Sequence, residues 1–283
     1  MGYDALCFAR RMGWGDLGTG SGKANWSNAD AYEKYMGRWS RLTSKIFVNW
    51  LAVPVSSHWL DVGSGTGALS QAILDGSEPA SIRGFDPAEA FVERAAKSVN
   101  DYRATFETYD GKTLPVQTGK YDAVVAGLVL NLFPDVDRGI AEMVRVTRSS
   151  GTVAAYVWDY GGKMEIMRRF WDVATTLDPE ASKFDEGQRE PSLCNPDALT
   201  EHFESAGLSD VKVDAIDVQA HFVDFDDYWL PFTGGQGFAP TYTASLDGKS
   251  RTDLKEQLRS VLSSAADGSI DLIARAWAVK GIR

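Results

Sequence analysis

The run Trp59-Leu60-Asp61-Val62-Gly63-Ser64-Gly65-Thr66-Gly67 passes from an apolar stretch into a helical one and concentrates the residues that can do chemistry. A ligand can lie against backbone only where no Cβ obstructs it, and tight turns need the positive φ that glycine tolerates. The free amides at the start of the following helix favour an anionic or strongly polar group. Asp61 adds a carboxylate just before the turn, where it can accept from an ammonium group. The same loop also satisfies a dinucleotide fingerprint through Gly63, Gly65 and Ala68, and Asp86 falls about where the ribose acid of an NAD site would stand. Two features oppose that reading. A carboxylate two residues before the first glycine repels a pyrophosphate, and the third glycine comes at Gly67, giving Gly-x-Gly-x-Gly.

Elements that can position this loop surround it. Tyr32, Tyr35, Met36, Trp39, Leu42, Ile46 and Trp50 recur at three- and four-residue steps, the stripe of an amphipathic helix, which Ser27 and Asp30 can cap and Pro54 ends. Strands are expected at His58–Val62, Ser81–Phe85, Thr105–Thr108, Ala123–Gly127 and Thr152–Trp158. Helices fall between them, one from Pro87 to about Val99 and another closed by Arg148-Ser149-Ser150-Gly151. Ala123–Gly127 is apolar throughout, as a strand covered on both faces should be. Strands alternating with helices argue for a parallel sheet with helices on both sides. Farther on, Asn195-Pro196 starts a helix that Gly207 stops, and Val211–Phe222 and Ile270–Val279 read as strands.

Composition excludes several classes. With 29 Lys and Arg against 39 Asp and Glu, the net charge is −10, which disfavours a nucleic-acid partner. Cys7 and Cys194 are too few and too far apart for a disulfide framework and fit a reducing cytoplasm. His58, His202 and His221 have no metal-ligand spacing, so no metal is expected. No apolar run is long enough to span a membrane. Residues 1–25 read as a flexible arm and 26–283 as one domain with insertions at 160–195 and 224–268.

Asp61-x-Gly63-x-Gly65-x-Gly67 resembles the first motif of class I S-adenosylmethionine-dependent methyltransferases, and further landmarks follow in family order. Asp86 ends the second strand, Asp110-Gly111 is followed by Leu114-Pro115, Tyr121-Asp122-Ala123-Val124-Val125 opens the fourth strand, and Gly151 leads into the fifth. Tyr32-Glu33-Lys34-Tyr35-Met36-Gly37-Arg38-Trp39-Ser40 is similar to the helix that precedes this fold in the small-molecule branch containing ubiquinone and menaquinone C-methyltransferases. The resemblance covers residues 28–160. It implies a doubly wound, mostly parallel, seven-stranded α/β sheet of the Rossmann-like methyltransferase kind, with helical lid insertions.

It also implies S-adenosylmethionine as cofactor, with a loop of Asp61, Gly63, Ser64, Gly65, Thr66 and Gly67. Asp86 beside Pro87 would take the ribose hydroxyls, Asp110 and Gly111 would meet the adenine, and Gly127 and Leu128 would lie beside the methionine end. Each has a plainer reading: Asp86 as a helix cap, Asp110-Gly111 as an ordinary turn. Tyr35 and Arg38 are either a solvated helix face or cofactor-binding residues, with Arg38 gripping the cofactor carboxylate. The acceptor would be a small molecule. Asn131 stands where many family members have His and either orients the acceptor or makes a turn before Pro134; its amide is no base near neutral pH. Trp158, Trp229, Phe232 and Phe238 either line the acceptor pocket or pack as core.

Overall fold

The computed structural model describes residues 33–109, 113–188, 193–234 and 237–283. The expected arm at 1–25, the Ser27–Asp30 cap and the Asp110-Gly111 pair lie outside the described residues. Helix α1 (Arg38–Leu51) follows a π-helical turn at Glu33–Gly37 and buries Trp39, Thr43, Phe47, Val48 and Leu51. Of the expected stripe, Tyr35, Met36 and Trp39 are buried, but Leu42 and Ile46 are exposed, because the face packed on the sheet turns toward Thr43, Phe47 and Leu51. β1 (His58–Val62) runs through the glycine loop into α2 (Ala68–Ser77). β2 (Ser81–Asp86), α3 (Glu89–Ser98), β3 (Ala104–Thr108), β4 (Tyr121–Gly127), α4 (Val136–Val146) and β5 (Thr147–Trp158) continue the alternation.

After β5 come α5 (Glu165–Leu177) and α6 (Pro196–Ser205), then the long strand β6 (Ser209–Phe222). Between β6 and the last strand, β7 (Ile270–Ile282), lie α7 (Phe225–Trp229), α8 (Phe238–Ser245) and α9 (Gly248–Val261). The strand order is β3-β2-β1-β4-β5-β7-β6. β1 to β5 are parallel, whereas β7 is antiparallel to both β5 and β6. This is the doubly wound architecture expected from the sequence.

Strand residues alternate between the two faces of the sheet. Trp59, Ala123, Val125, Ala154 and Tyr156 pack under α1, α2 and α5 on one face. Leu60, Val62, Val124, Ala126, Val153 and Ala155 meet α4 and α6 on the other. The pattern of two covered faces is why the central strands read as continuous apolar runs.

One boundary differs from expectation. Arg148–Gly151 do not end a helix but belong to β5, which begins at Thr147 directly after α4. A register shift against Tyr121 and Ala123 and a left-handed Ser150 (φ 61°) absorb the polar residues there. A pairing partner decides that boundary, and local sequence does not reveal one.

The segment after β5 packs on β7 through α5, and the segment after β6 meets β6 and the Glu33–Gly37 turn before α1. Asp185 is fully buried and accepts from Arg168 at 2.7 and 2.9 Å, as well as from the amide of Gly187. That buried pair fixes the stretch after α5 to the helix itself. Among the described residues no helix is long and apolar enough to cross a membrane.

Candidate functional site

β1 has β2 on one side and β4 on the other, so the connections leaving the carboxyl ends of β1 and β4 diverge and open a crevice there. The glycine loop occupies that crevice. Gly63, Gly65 and Gly67 have φ of 75°, 52° and 89°, where L side chains are strained. A Cβ on Gly63 would stand 2.7 Å from the Val129 methyls, so glycine lets the loop pass close beneath the segment after β4. A Cβ on Gly65 would meet nothing within 4 Å, because that residue borders open space.

The open space is a cavity of about 100 Å³ lined by Asp61, Gly63, Ser64, Gly65, Thr66, Asp86, Pro87, Gly127 and Leu128 among others. Most loop amides are already committed. Those of Gly63 and Ser64 donate to the carbonyl of Phe85, that of Gly67 to the carbonyl of Ser64, and that of Gly65 to Asp86 Oδ2 at 2.9 Å. A diphosphate laid on this loop would find those donors taken and two carboxylates beside it. The arrangement suits a cationic or neutral ligand better than a dinucleotide.

Two buried carboxylates define the electrostatics. Asp61 Oδ2 accepts from the Ser70 hydroxyl at 2.7 Å, whereas its Oδ1 has no partner and is shielded from solvent. Burial pushes its carboxyl up to about 7, against the Ser70 hydrogen bond, and the nearby Asp86 charge adds to the rise. Asp86 accepts from the amides of Gly65 and Ala88, each at 2.9 Å. Burial raises it to about 6, opposed by those two amides. Asp86 therefore caps the turn into α3 and orders the glycine loop, with further lone pairs free for a ligand. The Ser64 hydroxyl is a second buried polar group with no partner. An unsatisfied buried acceptor costs free energy unless a ligand donor meets it.

The remaining sequence-derived candidates separate into groups. Gly67 starts α2 outside the cavity lining, with Val99 and Ala95 against it. Tyr35 is buried and donates to Met167 Sδ at 3.1 Å. Arg38 pairs with Asp227 at 3.0 Å and stacks on Trp39 and Phe222. Neither Tyr35 nor Arg38 lines the cavity. Asn131 sits half-buried in a 3-10 turn, Leu130–Leu132. Trp158, Trp229, Phe232 and Phe238 are buried in the core; Phe232 stacks on Phe170 with centroids 4.6 Å apart and meets Tyr35 edge-on. None of these five lines the cavity, whose apolar wall comes instead from Leu69, Phe91, Val129 and Leu132.

Sequence reasoning missed Ser40 and Tyr156 in the lining. Ser40 lies within the quoted N-terminal motif, one turn into α1, and only the packing of α1 against the sheet aims it inward. Tyr156 reads as one more apolar strand residue. Among the described residues no group of three or more His, Cys, Asp or Glu side chains is gathered to hold a metal.

Residues 60–155 match a family described as a methyltransferase domain. The chain is 28% identical over 174 residues to a demethylmenaquinone methyltransferase of Roseiflexus castenholzii, covering 56% of this chain and 71% of that protein. It is 30% identical over 95 residues to a malonyl-[acyl-carrier protein] O-methyltransferase of Acetivibrio thermocellus, covering 34% of this chain and 33% of the relative. Several other curated relatives are matched over less than half of their own length. Among solved structures, phosphoethanolamine N-methyltransferase 2 of Haemonchus contortus in complex with S-adenosyl-L-methionine shares the fold. Its TM-score is 0.55 at 15% identity, with 99% of this chain and 60% of that chain covered.

Proposed function

We propose, from the premise that residues 60–155 form a class I S-adenosylmethionine-dependent methyltransferase domain, that the chain transfers the methyl group of that cofactor to a small organic acceptor. The observation that carries the reading is the unpartnered, buried Asp61 Oδ1 beside a glycine loop with little amide capacity left for phosphate. The residues present fit the cofactor. Asp61 supplies an acceptor for an ammonium, Asp86 Oδ1 and Oδ2 keep lone pairs for two hydroxyls, and Gly65 leaves room for a ligand against the backbone. In this reading Gly63, Ser64, Gly65 and Thr66 form the floor, with Gly67 turning the chain into α2 behind it, Asp86 and Pro87 face the ribose, and Gly127 and Leu128 flank the reactive end.

When bound, S-adenosylmethionine supplies a methyl group already activated on a sulfonium. The protein's part is then mainly to align a nucleophile and exclude water. Phe91, Leu128, Val129 and Leu132 give the cavity an apolar wall, which keeps water out and suits an apolar or aromatic ring on the acceptor. The names of relatives such as the demethylmenaquinone methyltransferase support an acceptor of that kind. Residues 26–283 read as one domain whose stretches 160–195 and 224–268 cover the acceptor side. Two cysteines far apart in sequence support work in a reducing, cytoplasmic setting.

Calorimetry tests the cofactor directly. S-adenosylmethionine and S-adenosylhomocysteine should both bind and raise the melting temperature by mass action, and NADH should do neither. Binding of NADH with no response to either sulfur ligand would reject the reading.

A further inference from the structure

We infer that the outward side of α1 is a docking surface for an anionic lipid bilayer, on which the protein rests without spanning it. The inference does not use the cofactor reading; it starts from the face that α1 turns away from the sheet. Residues three and four apart are neighbours on a helix surface. Leu42, Ile46 and Trp50 therefore form one row, and Arg41, Lys45 and Asn49 form the row beside it. Leu42 is 47% exposed and Ile46 43%, Trp50 is half-buried, and Val55, just past the helix, is 65% exposed. Packing toward Thr43, Phe47 and Leu51 buries the opposite side and leaves this apolar row at the surface.

Apolar side chains scattered singly over a surface need no explanation; a row of them beside a row of cations does. The charged residues within Arg38–Leu51 are Arg38, Arg41 and Lys45, with no Asp or Glu, although the chain as a whole carries −10. Arg38 is held by Asp227 and Arg41 by Glu33. Lys45 has no ion-pair partner among the described residues. Lys212 and Lys280 extend the cationic surface past the helix end. Their Cα atoms pair across β6 and β7, and Lys280 Nζ donates to the Trp50 carbonyl at 2.7 Å and lies 4.4 Å from the Trp50 ring centroid. Burial, and then the charge of Lys212, lower the Lys280 pKa, so an anion placed there relieves a repulsion.

Like charges decide the occupant. A second copy meeting this face by two-fold symmetry would set the same patch against itself, lysine against lysine. An anionic bilayer offers both complements: acyl chains for Leu42, Ile46 and Val55, and headgroup phosphates for Lys45 and Lys212. A helix of 14 residues is about 21 Å long and can lie flat on such a surface. Ser40, on the far side of the same helix, lines the cavity. Docking therefore brings the cavity within about 10 Å of lipid, one helix diameter.

Vesicle co-sedimentation of the full chain tests the surface. Vesicles of equal parts phosphatidylglycerol and phosphatidylcholine should bind the protein, more weakly at high salt, and pure phosphatidylcholine vesicles should bind it far less. Leu42→Asp combined with Ile46→Asp should weaken binding at least about tenfold, because apolar contact is lost and negative charge is added. Lys45→Ala should weaken it about fivefold, the contribution of one lysine near such a surface. All three side chains are exposed, so thermal unfolding of the variants should match that of the wild type. No binding to the anionic vesicles, or binding that the folded variants retain in full, would overturn the inference. So would wild-type dimers that Leu42→Asp with Ile46→Asp dissolves, since they would give this face to a second copy. Failure of the cofactor reading is seen separately, by calorimetry with S-adenosylhomocysteine, and leaves the vesicle result standing.

Discussion

Replacing Asp61 by Asn should stabilise the ligand-free protein above neutral pH while abolishing tight cofactor binding. The carboxyl is fully buried and titrates at about 7 in the folded state, against an ordinary value of 3.8. A folded-state pKa raised above the unfolded one means that the group's contribution is most favourable below about pH 4 and is lost as pH rises through about 7. Three pKa units at about 1.36 kcal/mol each make the charged form cost about 4 kcal/mol at about pH 8. Asn keeps an oxygen for the Ser70 hydroxyl but leaves an unsatisfied amide at the Oδ1 position, which takes back about 1–3 kcal/mol. The net gain expected at about pH 8 is therefore about 1–3 kcal/mol, shrinking as pH falls toward about 5. Urea denaturation of wild type and variant across that range reads the difference, and calorimetry with S-adenosylhomocysteine reads the lost binding. A variant less stable than wild type at about pH 8, or a difference independent of pH, would refute the account of Asp61 as a buried charge awaiting a cationic partner.

Two further substitutions separate site from scaffold. Asp86→Ala removes the acceptor for the Gly65 and Ala88 amides and, in the proposed reading, for two ribose hydroxyls. It should weaken S-adenosylhomocysteine at least about tenfold and cost about 1–3 kcal/mol of stability. Lower stability with unchanged affinity in calorimetry would leave Asp86 as a helix cap alone. Phe232→Ala removes a fully buried ring stacked on Phe170. It should cost about 3–5 kcal/mol in chemical denaturation while cofactor affinity of the folded fraction stays nearly constant; a loss of affinity without a loss of stability would return Phe232 to the ligand site.

The sequence by itself determined the parts of this protein whose physics is local. Alternating strands and helices, the helical character of α1 and the strand ends at His58–Val62 and Ser81–Asp86 follow from apolar spacing, although the exposed Leu42 and Ile46 put the expected α1 stripe beside its buried face. The glycine loop is legible because closely spaced glycines after an apolar strand mark a backbone conformation that other residues resist, and the structure places all three at positive φ. Asp61 and Asp86 were legible as carboxylates at strand ends, which places them at one edge of a parallel sheet before any packing is known.

What only the tertiary structure decided is where side chains distant in sequence come to rest. Arg38 carries a charge that a sequence reading offers to a ligand, yet Asp227, 189 residues away, takes it. Trp229, Phe232 and Phe238 have the composition of a pocket wall, but rings that can bury each other gain more from mutual contact than from facing solvent, and they became core. Tyr156 and Ser40 travel the other way. They reach the cavity because β5 lies in register with β4 and α1 packs across the sheet face, relations set by pairing and crossing geometry that no local spacing encodes. Periodicity fixes which face of an element is apolar; the partner that face meets is a long-range choice, made by the burial of the whole chain.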